Sequence, residues 1–498
     1  MDSGGAAMPL NLSNRDQSSG HLFYNRRLRS AITRFSVRMK HDDRKQQAAL
    51  ALAVVFVLLG CAWMALLNVV KPAGLVGESV VVGDRDTGAL YAKIDGRLHP
   101  ALNLASARLA TGSAAAPAWV TSGEIAKLPT GPLIGIAGIP DGYPAGGPRS
   151  AWALCDTARA GGERPVLTAI AGDLSGGRAE PMDPAEAILA RHAGATYLIW
   201  NGRRTRIDAS DRAVAFTLGL DPKAARPVEI STPLFDAIPA TEPLAVPRIP
   251  GFASPSRLLP GARVGQVLET RDATGTVSGL YVLLPEGVQQ VSPFVADLLR
   301  ASGRGGIAAP QTVSPDRLVA LPQIRVLAVD YYPTGRLRFV DSQTNPVTCV
   351  SWTKLISDPQ ASVTVLTGRG LPTPQALDSH IVDLVRGGGE PGSAQADRTL
   401  VLPGAARLVV STSGVITSDT RESLFWVSPQ GVRFGIAGDQ KTLQALGIDP
   451  LRAVQAPWPI LRTFAPGPEV SQTGALVARD ALIGAGPAAS LTPGSTGG

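Results

Sequence analysis

The 498-residue sequence predicts an α+β protein. One N-terminal transmembrane helix precedes an elongated extracytoplasmic domain, in which four hairpin-plus-helix repeats surround a central β domain. Three observations carry this reading. Ala48 to Val70 is a 23-residue run without a charged side chain. After it, an aromatic residue, a glycine turn and a second extended run recur four times. Long β-like inserts separate the recurrences, in a chain whose 54 Gly and 41 Pro must break it into short elements.

The chain opens with a basic segment, 1–47, whose first twenty residues are polar and Gly/Ser-rich and read as disordered. From His21 to Lys45, Leu28, Ile32, Phe35 and Met39 place one apolar stripe on an otherwise basic helix. Arg26, Arg27, Arg29, Arg34 and Arg38 suit either anionic headgroups or a cytoplasmic docking partner. The apolar run, 48–70, extends about 34 Å as a helix and crosses a ~30 Å hydrocarbon core with some tilt. Basic residues crowd its N-terminal side while Lys71 stands nearby on the other, so 1–47 is expected in the cytoplasm and the rest outside. Leu58-Leu59-Gly60-Cys61 loosely imitates a lipoprotein cleavage box. However, the leader is too long and the apolar run continues nine residues past Cys61, so the helix is expected to stay attached.

Charge excludes a nucleic-acid groove. Nine Lys/Arg against four Asp/Glu in 1–47 hold +5 of the overall +7, leaving little spread over the outer residues.

The four recurrences begin at Leu90, Thr196, Leu280 and Leu424, with aromatics Tyr91, Tyr197, Tyr281 and Phe425. Asp95-Gly96 and Asn201-Gly202 are two-residue hairpin signals. In Pro285-Glu286-Gly287 and Pro429-Gln430-Gly431, proline pre-sets the turn and glycine is expected at a left-handed bulge position. A capped helix follows each hairpin, clearest at Ser292-Pro293 and at Asp439 to Gly447. A second short helix ends near Pro129, Pro239, Pro322 and Pro466. These signals delimit repeats 84–130, 190–240, 275–323 and 420–468. Units this small must pair or pack on something shared. The inserts 131–189, 241–274 and 324–419 are assigned to the central β domain, and 485–498 to a disordered tail.

Cys155 and Cys349 are the two cysteines outside the membrane run, both in strand-like settings beside tryptophan; in an oxidising compartment a disulfide is expected. Five scattered histidines make no metal motif, and no metal is expected. None of the eight lysines follows a glycine, so GxxxxGK[ST] is absent, and no HRD or DFG triplet occurs. No cofactor is expected, ATP with Mg²⁺ included.

The stretch DRDTGALYAKIDGRLHPALNLASARLATG, directly after a span whose leader ends VRMKHDDRKQQ, resembles EccB, the single-pass membrane component of mycobacterial type VII (ESX) secretion systems. GPLIGIAGIP, AWALCDT, LPEGVQQVSPFVADLLR, NPVTCVSW and ESLFWVSPQGVRFGI resemble it too. The resemblance implies a core subunit of the inner-membrane translocon, beside EccC-like, EccD-like and EccE-like subunits. It further implies pairing with other copies through the outer domain, and it leans towards the second of the numbered ESX clusters. Family members are sometimes catalogued as ATPases, so an ATP-hydrolysing subunit is the rival reading, and a peptidoglycan-binding anchor is a third.

Overall fold

The computed structural model describes residues 15–34, 40–70, 74–142, 147–159, 161, 163–174, 177–221, 225–303, 309–385 and 394–480. The chain divides into two units, Met1–Gly77 and Glu78–Gly498.

In the first unit a helix spans Arg15–Arg34. It begins ahead of the expected His21, so 15–20 are helical rather than disordered. The apolar stripe survives through Leu28 and Ile32, while Phe35, Arg38 and Met39 lie outside the described residues. A second helix, Lys40–Val70, contains the apolar window Gln47–Leu66, none of it buried in the protein. A helix apolar on every face is suited to lipid.

The second unit holds four copies of one topology. Repeat 1 has strands Val81–Asp84, Leu90–Ile94 and Arg97–Ala101, helix Leu104–Thr111, strand Ala118–Val120 and helix Ser122–Ile125. Its fourth strand returns parallel to the first, giving the order third, second, first, fourth. Repeat 2 runs from Glu186–His192 to Thr232–Ala237, repeat 3 from Val267–Arg271 to Pro315–Val319, and repeat 4 from Leu408–Thr412 to Trp458–Leu461. All three keep that order and that parallel return. Beyond each second helix the chain runs parallel beside the hairpin's second strand, at Thr130, Ala240, Gln323 and Ala465.

The central sheet has seven strands drawn from 149–181 and 347–401. Among the described residues, 241–274 adds no strand to it. Val267–Arg271 and Leu408–Thr412 are instead the first strands of repeats 3 and 4, and Arg338–Phe339 pairs with repeat 2. Each repeat therefore opens one strand earlier than the hairpin signal. VLETR and LVVST carry neither the aromatic nor the turn glycine that marks the hairpin, so they blend into the inserts.

Burial follows from the pairing. Repeats 1 and 4 share a core of Leu109, Trp426, Phe434 and Leu446; repeats 2 and 3 share one of Leu198, Trp200, Val295 and Leu298. The central sheet presents Trp152, Leu154, Val350 and Trp352 to Ile199 and Leu234 of repeat 2 and to Phe425 and Phe464 of repeat 4. No repeat buries its sheet alone. Fully burying side chains of this size contributes about 1.5–3 kcal/mol each. The tail expected at 485–498 lies outside the described residues.

Candidate functional site

Among the described residues of Glu78–Gly498, the functional candidates are the joints that hold the lobes together. The innermost is the disulfide. Cys155 in strand Arg149–Thr157 lies directly opposite Cys349 in strand Val347–Leu355, with Cα atoms 4.0 Å apart. Both are fully buried on the face of the central sheet turned away from repeats 2 and 4. Cys61 is free and exposed on the apolar helix.

The hairpin turns form the next joints. Asp95 and Gly96 have φ of 48° and 76°, and Asn201 and Gly202 have 45° and 69°, the mirror-image two-residue turn that the twist of a hairpin favours. Gly431, at φ 79°, takes the bulge position: its N–H donates to Ser428 O at 3.0 Å. Gly287 differs from expectation, having no positive φ. There, Val288 N–H donates to Pro322 O at 2.8 Å, which draws the returning chain so close that a Cβ on Gly287 would meet the Pro322 carbonyl and, at 3.1 Å, Ile324. Gly202 abuts Val363 O and Gly431 abuts Thr399, so two of the four turns rest on strands near opposite ends of the central sheet, while around Gly96 nothing lies within 4 Å.

Repeats 2 and 4 also share a motif that the sequence reading missed. Two residues after the turn glycine stand Arg204 and Arg433. Arg204 lies 3.6 Å over the Phe235 ring, beside Tyr197, and its Nε donates to Phe235 O and Ile238 O at 2.8 and 2.9 Å. Arg433 lies 5.2 Å from Trp458 and 5.8 Å from Phe425. Burial lowers the pKa of both guanidiniums, and for Arg204 the nearby Asp236 opposes that shift. Arg462 of repeat 4 then pairs with Asp236 of repeat 2 at 2.5 Å, closing the contact between the two second helices. Gly-x-Arg two residues on was the available signal.

Asp156, beside the disulfide but facing repeat 2, accepts a hydrogen bond from Ser231 N–H at 2.7 Å, while its other oxygen has no partner. Burial pushes its carboxyl up to about 7. On the first unit, Arg26, Arg27 and Arg29 are exposed along helix Arg15–Arg34; Arg34 ends it, and Arg38 is outside the described residues. The described residues bring together no group of three His, Cys, Asp or Glu able to hold a metal.

The family model for "Type VII secretion system ESX-1, transport TM domain B" matches residues 10–484. The chain belongs to the EccB family. Among EccB relatives, "ESX-2 secretion system ATPase EccB2" of Mycobacterium tuberculosis is 60% identical over 97% of this chain and 99% of its own. "ESX-3 secretion system ATPase EccB3" of Mycolicibacterium smegmatis is 38% identical over 94% and 91%. Among solved structures, an intact ESX-5 inner membrane complex contains a chain 35% identical, superimposing with a TM-score of 0.74 over 98% of this chain and 100% of that one. The EccB3 dimer from the ESX-3 core complex gives 35%, 0.69, 80% and 100%. The likeness to the chain of the intact ESX-5 complex thus extends over both the N-terminal apolar helix and the β-rich unit.

Proposed function

We propose that this EccB-family chain is a core membrane subunit of a type VII secretion translocon, anchored in the inner membrane by one helix and scaffolding the assembly with its outer domain. The observation that carries the reading is the continuous family match from residue 10 to 484, covering basic segment, apolar helix and repeats together. Charge asymmetry around Gln47–Leu66 supports a cytoplasmic N-terminus and an outer domain beyond the membrane. Arg26, Arg27, Arg29, Arg34 and Arg38 then face EccC-like, EccD-like and EccE-like subunits or the anionic membrane surface. The solved EccB3 dimer supports a second copy as an outer-domain partner. The 60% identity to EccB2 favours the second ESX cluster.

The relatives' names include the word ATPase. Our reading keeps the chain non-hydrolytic: a phosphate-cradling loop needs GxxxxGK[ST], and the sequence has no Gly-Lys step. No ATP or Mg²⁺ enters the proposed role. The test is affinity purification of a tagged chain from native membranes. Co-purification of EccC-like, EccD-like and EccE-like proteins is expected; recovery of this chain alone refutes the proposal.

A further inference from the structure

The face of the central sheet turned away from repeats 2 and 4 has a feature that scaffolding does not use. A cavity of about 350 Å³ opens beside the disulfide, lined by Arg178, Arg369 and Arg398. Those arginines come from three separate segments: the start of strand Ala179–Pro181, the residue after strand Ser362–Gly368, and strand Arg398–Val401. Thr157 and Thr168 add hydroxyls to the wall; Thr157 is two residues beyond Cys155 on the same face, and Thr168 pairs with Cys155 across the ladder.

Two carboxylates enter this cluster. Asp378 accepts from Arg178 Nη2 at 2.6 Å and Asp383 accepts from Arg398 Nε at 2.7 Å. Asp383 and Arg398 are largely solvated, with side-chain exposures of 79% and 47%, so water screens that pair and a competing anion replaces it easily. Arg369 is exposed and meets no carboxylate among the described residues. Three guanidiniums against two carboxylates leave the cavity one net positive charge.

We infer that this cavity binds a phosphate group, either as the free ion or as a phosphodiester of an envelope molecule. Planar guanidinium forks match phosphate oxygens, and donors arriving from three segments suit a tetrahedral acceptor better than a flat carboxylate, which one fork saturates. The wall hydroxyls supply further donors to the same oxygens.

The test is titration calorimetry on the full chain in a detergent with an uncharged headgroup, using inorganic phosphate and glycerophosphoglycerol as separate ligands. Saturable binding with a dissociation constant of about 1 mM is expected for at least one of them. Arg369→Gln, which breaks no ion pair among the described residues, weakens it about tenfold, the loss of one charge-assisted contact. Asp383→Asn frees Arg398 and tightens it. Arg317→Gln, an exposed arginine of repeat 3, leaves it unchanged. Stronger binding of the diester identifies an envelope molecule, and stronger binding of the ion identifies free phosphate. Absence of saturation with both ligands overturns the inference, as does an Arg369→Gln variant that titrates like Arg317→Gln.

Discussion

Replacing the turn glycines one at a time separates backbone strain from lobe docking. Gly96 and Gly431 have nearly equal φ, 76° and 79°, so valine at either meets the same left-handed penalty, about 1–2 kcal/mol. Around Gly96 nothing lies within 4 Å. At Gly431 a new Cβ stands 2.5 and 2.8 Å from Cβ and Cγ2 of Thr399, which is 1% exposed in the central sheet and cannot step aside. Overpacking adds about 1–3 kcal/mol. Gly431→Val is therefore expected to cost roughly 2–5 kcal/mol and Gly96→Val about 1–2. Guanidinium unfolding of the detergent-solubilised protein, followed by tryptophan fluorescence, reads the difference, since Trp426 and Trp458 lie in repeat 4 and Trp152 and Trp352 in the central sheet. Thr399→Gly removes the obstructing Cβ. In the Gly431→Val background it should recover part of the loss, a coupling that a double-mutant cycle measures. Equal destabilisation by the two valines, or no coupling to Thr399, refutes the docking of repeat 4 through its turn.

Three further outcomes are expected. Cys155→Ala/Cys349→Ala opens a cross-link spanning 194 residues, worth at most about 5 kcal/mol in the chain-entropy model, so the unfolding midpoint should fall and reductant should have no further effect. Asp156 has a folded-state pKa raised by burial to about 7, above that of the unfolded chain. Its contribution is therefore greatest below about pH 4 and is lost as pH rises through 7; Asp156→Asn should flatten the stability profile between pH 5 and 8, and an unchanged slope counts against the burial argument. Protease added outside spheroplasts should digest the chain beyond Lys71 while sparing an N-terminal tag, and loss of the tag would reverse the orientation.

The sequence made the hairpins legible because two-residue Asp-Gly and Asn-Gly turns leave few alternatives to a positive φ, and caps such as Ser292-Pro293 fix helix starts by one hydrogen bond, here Val295 N–H to Ser292 Oγ at 3.3 Å. Pairing of Cys155 with Cys349 was legible from compartment and count. The first and fourth strands of each repeat were not. Val228–Glu229 and Gln311–Thr312 are two residues long, and their strand state comes from parallel hydrogen bonds to residues about forty positions earlier, which no local pattern encodes. Gly287 shows the same limit: its turn was legible, but the reason for glycine lies in Pro322, thirty-five residues on.

One position unites the four lobes. Two residues after the turn glycine stand Leu98, Arg204, Gln289 and Arg433, four unlike side chains at one place in the fold. Leu98 is fully buried while its N–H donates to Pro129 O at 2.9 Å. Arg204 donates to the carbonyls of Phe235 and Ile238, and Gln289 accepts from Val326 and Leu327 N–H while donating to Leu327 O. Arg433 stacks by Trp458, and its backbone carbonyl accepts from Gly467 N–H at 2.8 Å. In every repeat this residue holds the chain leaving or forming the second helix against the hairpin, which closes the unit despite its short strands. The arginines occur in the two repeats that pack on the central sheet, where the residue lies over an aromatic ring; the Arg204 guanidinium also binds the returning chain, whereas Arg433 does so through its backbone carbonyl. In repeats 1 and 3 the returning chain is held by the Leu98 backbone N–H and by the Gln289 side-chain amide.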